Sequence, residues 1–427
     1  MEVQIAPRSG DTELLDLDWS SPLARWNDPR LVRMARAASR HVVRFVEVGG
    51  HVFAVKEIED RFALREYNTL RAMADSELPA VEAVCTVTDR RARSGEPLAG
   101  ALVTRYLDFA LPYTYLLARE NSAEHQRRLI DAAAVLVVQL HLEGFFWGDC
   151  SLANVLFRRD AGALAAYLVD AETAERHERL TDGQRATDIE LAVANVAGGV
   201  ADLVAAGRLP AQADPMLFAE RLEQRYEALW GELTGEEEYA AGERWRVEER
   251  IGRLNALGFD ASELALREDP SGSRLRIRPS VVEEGHHARR LLRLTGIDAQ
   301  ENQARRLLND LDGYRARLPR VRGRPASEAV AAHRWLTECF EPFAESIPAE
   351  LRGRLEPVEA YHQYLEHRWY LSEAARRDID GNAARRSYLE TVLRRRPDEI
   401  VVLPDPTGEL DIASLDAAEE ADEDPLP

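Results

Sequence analysis

The sequence predicts an α+β fold in which an antiparallel sheet comes first and helices follow, spread over more than one domain. Two β-branched runs flank a Gly-Gly turn near the start of the chain, and most of the remainder has helical patterning. A length of 427 residues exceeds that of one compact domain. We expect an N-terminal leader over 1–30, a two-lobed domain over 31–210 with lobes 31–109 and from 110, a mainly helical domain over 211–400, and an acidic, disordered tail over 401–427.

The first lobe has the element order strand, strand, helix, strand, strand. His41–Val48 and His51–Ile58 surround Gly49-Gly50, which is a hairpin pattern. A helix over Asp60–Asp75 follows. Two further strands are predicted over 79–89 and 101–109, separated by a turn-rich segment.

Helices dominate the rest of the chain. A long helix over 123–143 ends at Gly144 and precedes a loop, a strand over 165–172, and helices over 188–206 and 215–232. The third region is predicted to contain a helix over 243–257, a short hairpin over 263–279, and helices over 282–295, 301–318, 326–347, 357–377 and 382–395.

Composition excludes several classes of protein. The three cysteines, Cys85, Cys150 and Cys339, follow no metal-ligand or disulfide-scaffold spacing. No apolar run approaches the length of a membrane span, and no secretory signal pattern is visible, so we expect a cytoplasmic protein. The net charge of −20 argues against a globally basic nucleic-acid binder.

Lys56 is the sole lysine, although lysine and arginine together number 55. Arginine therefore serves wherever either cation would do, and the single lysine indicates a site where a compact ammonium cannot be replaced by a planar guanidinium. Lys56 stands in Ala-Val-Lys within the second strand of the hairpin. The alternative interpretation is that one lysine arose by chance.

The loop over 147–157 has the residues that phosphoryl transfer requires, namely oxygen ligands for magnesium and a carboxylate beside the attacking hydroxyl. Asp149 and Asn154 are five residues apart, the spacing of a kinase catalytic loop. Asp170 ends an apolar strand, where a carboxylate needs a partner such as a metal ion. Taken singly, these residues have other interpretations, because D-x-x-x-x-N arises by chance, Asp170 is also suited to cap a helix, and Glu66 to be solvated.

The ordered set of A-x-K at Lys56, Glu66 on the next helix, G-D-x-x-x-x-N from Gly148 to Asn154, and a strand-ending Asp170 resembles the protein-kinase-like superfamily. Gly148 before Asp149, and D-A-E instead of D-F-G, look more like lipopolysaccharide-core sugar kinases and aminoglycoside-phosphotransferase-like kinases. This resemblance covers residues 31–210. The whole chain is also similar to a bacterial family in which a lipopolysaccharide-kinase-like domain precedes a helical domain of unknown function.

The resemblance implies a two-lobed protein-kinase-like fold that uses ATP and Mg²⁺ to phosphorylate a hydroxyl of a sugar, glycan or other small molecule. It implies that the catalytic residues are Asp149, Lys56 and Glu66, and that the metal ligands are Asn154 and Asp170. The nucleotide-binding residues are then Lys56, Ser39, Arg40, Tyr106 and Leu107. Asp188 looks like the residue that anchors the backbone of the catalytic loop, and Glu172 is either a further metal contact or a solvated side chain.

The sequence departs from the kinase pattern before the hairpin, where no G-x-G-x-x-G is present. The loop that should cover the phosphates, residues 37–41, offers backbone N–H groups, the Ser39 hydroxyl and Arg40 instead. Two alternatives therefore stay open: a non-catalytic nucleotide sensor or scaffold, and a nucleic-acid-associated regulatory protein. Retention of Asp149, Asn154 and Asp170 favours the kinase over the sensor, and the net acidity disfavours the nucleic-acid protein.

Residues 314–325 form a basic island in this acidic chain, with five arginines and no acidic residue. The arginines are Arg315, Arg317, Arg320, Arg322 and Arg324. Such a cluster predicts contact with a polyanion. The alternative is a set of solvated cations beside a charged partner helix.

Overall fold

The computed structural model describes residues 2–5, 12–32, 41–119, 122–235, 237–240, 259–268, 274–318 and 326–399. The fold is mixed α+β, as predicted. Its described residues divide into two compact units, the first comprising those up to Phe157 together with 166–223, and the second comprising 158–165 and 224–399.

A six-stranded antiparallel sheet forms the beginning of the first unit. Its strands are β1 (Glu2–Ile5), β2 (Leu31–Val32), β3 (Val43–Val48), β4 (His51–Ile58), β5 (Ala83–Thr88) and β6 (Gly100–Arg105), in the order β1-β5-β6-β4-β3-β2. The predicted hairpin is confirmed, because β3 and β4 pair around Gly49 and Gly50, whose φ angles of 60° and 79° suit a tight hairpin turn. β6 ends four residues before the predicted limit of its strand, and β1 was not predicted.

Helix α1 (Asp60–Asp75) has the predicted bounds and packs against β5 and β6. Its buried residues recur at helical spacing and are Ala63, Glu66, Tyr67, Leu70 and Met73. Four of them supply apolar contact, whereas Glu66 places a carboxylate on the buried face. That burial sets up the site described below.

The leader is part of the sheet's core. Trp19, Leu23 and Trp26 are buried in one apolar cluster with residues of the sheet. Arg90, itself 1% exposed, donates to the Trp19 and Ser21 carbonyl oxygens at 3.1 and 2.5 Å. These contacts fix the leader to the strands, because breaking them would leave N–H donors of the buried Arg90 guanidinium without acceptors.

Helices contain most of the residues in the elements that follow the six-stranded sheet. Up to Thr234, these elements are β7 (Leu111–Pro112), α2 (Tyr113–Arg119), α3 (Ala123–Leu142), β8 (Phe145–Phe146), β9 (Val155–Asp160), β10 (Ala163–Leu168), β11 (Glu175–Arg176), α4 (Asp182–Ala205) and α5 (Pro215–Thr234). The strands form two small sheets, β10-β9-β7 and β11-β8. Helix α4 begins six residues earlier than predicted, because Thr181 and Gln184 form a capping box at its N-terminus.

The second unit contains a three-stranded sheet, β12 (Glu237–Ala240), β14 (Arg274–Glu284) and β13 (Phe259–Glu268), in that order. Its later helices are α6 (His286–Thr295), α7 (Glu301–Arg317), α8 (Glu328–Trp335), α9 (Glu341–Glu345), α10 (Pro357–Ala375) and α11 (Gly381–Thr391). Trp335, Phe340, Phe343 and Tyr361 are aromatic residues of its apolar core. The helix predicted over 243–257 lies outside the described residues.

The helix predicted over 326–347 is interrupted by a π turn over Leu336–Phe340, between α8 and α9. Pro342 has no N–H, so the helical hydrogen bond to the Glu338 carbonyl cannot form. A wider turn accommodates this interruption. No helix among the described residues is both long enough and apolar enough to cross a membrane.

Candidate functional site

Lys56 lies within β4, opposite Val43 on β3 and Leu102 on β6. Its Nζ donates to Glu66 Oε2 at 2.9 Å and to Asp170 Oδ2 at 3.1 Å. Burial opposes the ammonium charge, but the two carboxylates outweigh it and raise the pKa of Lys56. The sole lysine of the chain therefore joins β4, α1 and the segment that follows β10.

Glu66 is 1% exposed and projects from α1. Besides the Lys56 ammonium, it accepts a long hydrogen bond from the Ala171 N–H, at 3.4 Å. Burial raises the pKa of Glu66 to about 7, although the Lys56 ammonium acts in the opposite direction. The structure thus brings together Lys56 and Glu66 as the sequence predicted, in a buried pair whose geometry is tightly constrained.

Asp188 on α4 holds the backbone in front of Asp149. Its carboxylate accepts hydrogen bonds from the Trp147 N–H at 2.7 Å and the Gly148 N–H at 2.8 Å. His141 Nε2 lies 3.0 Å from the same carboxylate, and both side chains are fully buried. This is the anchoring position predicted for Asp188, and it fixes the backbone at the start of the loop that contains Asp149 and Asn154.

Gly148 adopts φ +79°, a conformation that side chains rarely allow. A Cβ at this position would stand 3.2 Å from the Phe146 ring and 3.3 Å from the Thr173 carbonyl oxygen. Trp147 is 1% exposed, and its carbonyl accepts a hydrogen bond from Thr173 Oγ1 at 2.9 Å. The loop is therefore packed closely on both sides immediately before Asp149.

Two carboxamides hold the two oxygens of Asp149. Asn154 Nδ2 donates to Asp149 Oδ2 at 3.1 Å and to its carbonyl oxygen at 3.2 Å. Asn195 Nδ2, from α4, donates to Asp149 Oδ1 at 3.1 Å. Sequence reasoning missed Asn195. The signal available was its spacing of seven residues from Asp188, which places both residues on one face of α4.

Asp170 and Asn154 are adjacent through the backbone, because the Val169 N–H donates to the Asn154 carbonyl at 3.0 Å. Asp170 keeps 27% of its side chain exposed. Since Asn154 Nδ2 is committed to Asp149, its Oδ1 is the atom that can face a cation. Two hard oxygen donors fit Mg²⁺, which retains water and takes phosphate ligands. The described residues contain no cluster of three or more His, Cys, Asp or Glu that would hold a metal alone.

Glu172 connects this site with the start of the hairpin. Its Oε2 lies 3.1 Å from His41 Nε2 and 3.7 Å from Lys56 Nζ. The Glu172 N–H also donates to Asp170 Oδ1 at 3.1 Å. Of the two interpretations given for Glu172, a purely solvated side chain does not match these contacts.

Of the predicted nucleotide-binding residues, the structure describes Lys56, Tyr106 and Leu107. Tyr106 directly follows β6, donates its N–H to the Val52 carbonyl at 2.9 Å, and packs edge-on against Phe45 with ring centroids 5.7 Å apart. Burial raises the pKa of its phenol. Leu107 is the next residue and is partly buried. Ser39 and Arg40 lie outside the described residues.

Only part of the basic island is described. Arg315 and Arg317 lie in the last turn of α7, and Arg315 Nε donates to the Ala326 carbonyl at 2.9 Å. Arg317 is exposed. Arg320, Arg322 and Arg324 lie outside the described residues, so the polyanion contact stays a prediction.

Comparisons with known proteins match two parts of the chain. Residues 51–193 match the model of the lipopolysaccharide kinase (Kdo/WaaP) family, and residues 228–393 match a domain of unknown function, DUF4032. No curated protein matches the chain.

Two solved structures are similar at low identity. WaaP in complex with acyl carrier protein has 15% identity and a TM-score of 0.35, over 60% of this chain and 96% of that chain. The crystal structure of the BubR1 kinase domain has 13% identity and a TM-score of 0.28, over 38% of this chain and 53% of that chain.

The two family matches confirm the predicted resemblance. A lipopolysaccharide-kinase-like segment is followed by a domain of unknown function, in the order expected from the sequence. The kinase match covers Lys56, Glu66, Asp149, Asn154 and Asp170.

Proposed function

We propose that the protein is an ATP- and Mg²⁺-dependent phosphotransferase that moves the γ-phosphoryl group to a hydroxyl of a sugar, glycan or other small molecule. The observation that carries this proposal is the contact of Lys56 with both Glu66 and Asp170. A lysine held by a helix carboxylate and placed beside a metal-ligand position is the arrangement that aligns phosphates for transfer. The match of residues 51–193 to a sugar-kinase family supports a sugar or glycan as acceptor.

Each residue has a defined part in this proposal. Lys56 binds the nucleotide phosphates, and Glu66 holds the ammonium in place. Asn154 and Asp170 hold Mg²⁺, which when bound offsets the charge of the phosphate oxygens. Asp149 orients the acceptor hydroxyl and receives its proton, since its carboxylate is fixed by Asn154 and Asn195.

The nucleotide contacts complete the proposal. Ser39 and Arg40 cover the phosphates, and Tyr106 and Leu107, directly after β6, contact the nucleotide base. The requirement for ATP favours the cytoplasm as the location of such an enzyme.

Calorimetric titration of the full chain with ATP tests the metal and nucleotide roles together. Wild type should bind ATP in the presence of Mg²⁺, and EDTA should weaken this binding. Asp170→Asn should weaken the Mg²⁺-dependent binding by about tenfold or more, because it removes a charged oxygen ligand. Glu178→Gln is the matched control, since Glu178 is an exposed acid eight residues away. Equal Mg²⁺-dependent affinities of wild type and Asp170→Asn would refute the assignment.

A further inference from the structure

The tip of the β9–β10 hairpin, residues 158–165, belongs to the second unit. Asp160 in this tip is 5% exposed. Its Oδ1 accepts a hydrogen bond from the Gln303 N–H at 2.8 Å, and its Oδ2 accepts one from Asn302 Nδ2 at 2.8 Å. Both donors come from the first turn of α7. The buried carboxylate is therefore paired on both oxygens within the second unit.

The backbone of the same tip is bound by buried side chains. Gln303 is fully buried, and its Nε2 donates to the Arg159 carbonyl at 3.0 Å and to Glu359 Oε2 at 2.9 Å. Glu359 on α10 is 3% exposed and also accepts from the Ala161 N–H at 3.0 Å. Hairpin tips are ordinarily exposed and mobile. This tip is instead held at consecutive positions by α7 and α10.

Ion pairs add to these hydrogen bonds within the second unit. Arg158 pairs with Glu356, and Arg159 Nε lies 2.6 Å from Glu399 Oε1. The Glu356 and Glu399 side chains are largely buried. Removing one partner of such a pair leaves a buried charge, so these pairs disfavour other positions of the hairpin tip within the second unit.

The other ends of the two strands lead to the proposed metal ligands. β9 begins at Val155, directly after Asn154, and β10 ends at Leu168, two residues before Asp170. The strands are short, and the Val169 N–H bonds to the Asn154 carbonyl across their base. A shift or loosening of the tip would therefore move both ligands together, since a paired strand transmits a change of register along its length.

We propose that the second unit positions the metal ligands: by binding the hairpin tip through Gln303 and Glu359, it fixes the strands that carry Asn154 and Asp170 at their opposite ends. This inference rests on the proposed function for the identity of the ligands. It assigns to the domain of unknown function a positioning role in phosphoryl transfer. Gln303 and Glu359 are then positioning residues, because neither is proposed to touch substrate.

Gln303→Glu is the most selective change to the network. It keeps the side-chain oxygen that accepts from the Gln300 N–H at 3.0 Å, but it replaces the Nε2 donor by an oxygen facing Glu359. Asn302→Ala is a milder second variant, which removes one donor to Asp160 from a partly exposed residue. Tyr361→Phe is the matched control, because it removes a buried hydrogen bond to Asp310, at 3.0 Å, elsewhere in the second unit.

Hydrogen exchange of the full chain, followed by mass spectrometry over residues 155–157 and 166–168, tests the coupling without any ligand. The backbone amides of these two segments, the strand stems, should exchange about tenfold faster in Gln303→Glu and about threefold faster in Asn302→Ala than in wild type. In Tyr361→Phe they should exchange at the wild-type rate. Stems that exchange at the wild-type rate in Gln303→Glu would overturn the proposal. If Gln303→Glu does not fold, Asn302→Ala decides by the same criterion.

A second measurement tests the metal ligands themselves. The Mg²⁺ concentration for half-maximal ATP binding should rise about fivefold or more in Gln303→Glu, with the affinity for ATP in EDTA unchanged. Faster stem exchange with an unchanged Mg²⁺ requirement would overturn the positioning role. Absence of Mg²⁺-dependent ATP binding in wild type would refute the proposed function, whereas the exchange of the stems would still decide whether the tip controls them.

Discussion

Lys56 meets two carboxylates that come from different elements, and both contacts suit a compact ammonium that can rotate its donors. A guanidinium is planar and longer, so it cannot reproduce two such contacts from the same position in β4. Loss of the cation also leaves Glu66 buried. Because burial already raises the pKa of Glu66 to about 7, this carboxyl can take up a proton and remain buried without the Lys56 ammonium.

We therefore predict that Lys56→Met folds but loses phosphoryl transfer by about a hundredfold or more, since a preorganised cation on the phosphates is removed. Lys56→Arg should lose activity to a similar degree. The measurement is kcat/KM for transfer from ATP, with circular dichroism as the check on folding. Full activity of Lys56→Arg would contradict the interpretation of the sole lysine.

Asn195 is a residue of the candidate site whose contact with Asp149 is seen only in the structure. Lys56, Glu66 and Asp170 could be predicted from the sequence because each stands in a short pattern with a defined place in a strand or helix. Asn195 has only its spacing of seven residues from Asp188 as a signal, and its contact with Asp149 spans 46 residues. Side-chain pairs of this kind depend on tertiary packing, which local patterns do not encode.

Asn195→Ala should lower kcat about tenfold and leave KM for ATP unchanged, because it frees Asp149 Oδ1 without touching the lysine or the metal ligands. Asn195 is partly exposed, so the melting temperature should change little. Steady-state kinetics with ATP as the varied substrate measures both constants. An unchanged kcat would show that Asn154 alone suffices to hold Asp149.

Elements differ in how far the sequence determines them. The Gly-Gly turn fixes the hairpin of β3 and β4, and the periodic apolar residues of α1 fix its bounds. The start of α4 was misplaced although a signal existed, because Thr181 and Gln184 have capping-box spacing. β1 has no comparable signal, since its place at the edge of the sheet depends on pairing with β5, about eighty residues away.

In the loop that leads to Asp149, Gly148→Ala should destabilise the protein by about 1–3 kcal/mol, because a side chain there meets a strained backbone angle and close neighbours. The same shift should reach Asp149 and lower turnover. Thermal melting and kcat measure the two effects. Gly95→Ala is the matched control, since Gly95 also has a positive φ but no atom within 4 Å of an added Cβ. Equal turnover in the two variants would contradict a special role of the Gly148 packing.

For the molecule as a whole, the order of the domains could be predicted from the sequence. The assignment of residues 158–165 to the second unit could not. From the sequence, Asp160 is expected to be an exposed polar residue near a turn. In the structure it is buried within the second unit, where Asn302 and Gln303 donate hydrogen bonds to it. Its local sequence contains no sign of these partners, which lie more than 140 residues away. Burial of a carboxylate nonetheless has a measurable consequence for stability.

Burial raises the pKa of Asp160 from 3.8 to about 6, opposed by the donors from Gln303 and Asn302 and aided by the nearby Glu359. The folded state therefore favours the protonated form. The contribution of protonated Asp160 to the free energy of unfolding is fully present below pH 3.8. It is lost as the pH rises through 6, by about 3 kcal/mol in all. Asp160→Asn cannot ionise and should escape this loss.

The melting temperature of wild type should accordingly fall relative to that of Asp160→Asn as the pH rises from 4 to 7, with most of the change between 4 and 6. Both proteins are measured as full chains in the same buffers, so that other titrating groups cancel in the difference. Parallel curves over this range would contradict the burial of an ionisable Asp160.

Phosphoryl transfer to a hydroxyl can be measured directly with labelled ATP. Full-length protein is incubated with Mg²⁺, ATP labelled at the γ-phosphate, and a panel of sugars and glycans. We predict a labelled acceptor with wild type, loss of that product on chelation, and a decrease of about a hundredfold or more in Asp149→Asn with ATP binding retained. Absence of any labelled acceptor from wild type that binds Mg²⁺ and ATP, or normal transfer by Asp149→Asn, would contradict the proposed phosphoryl transfer.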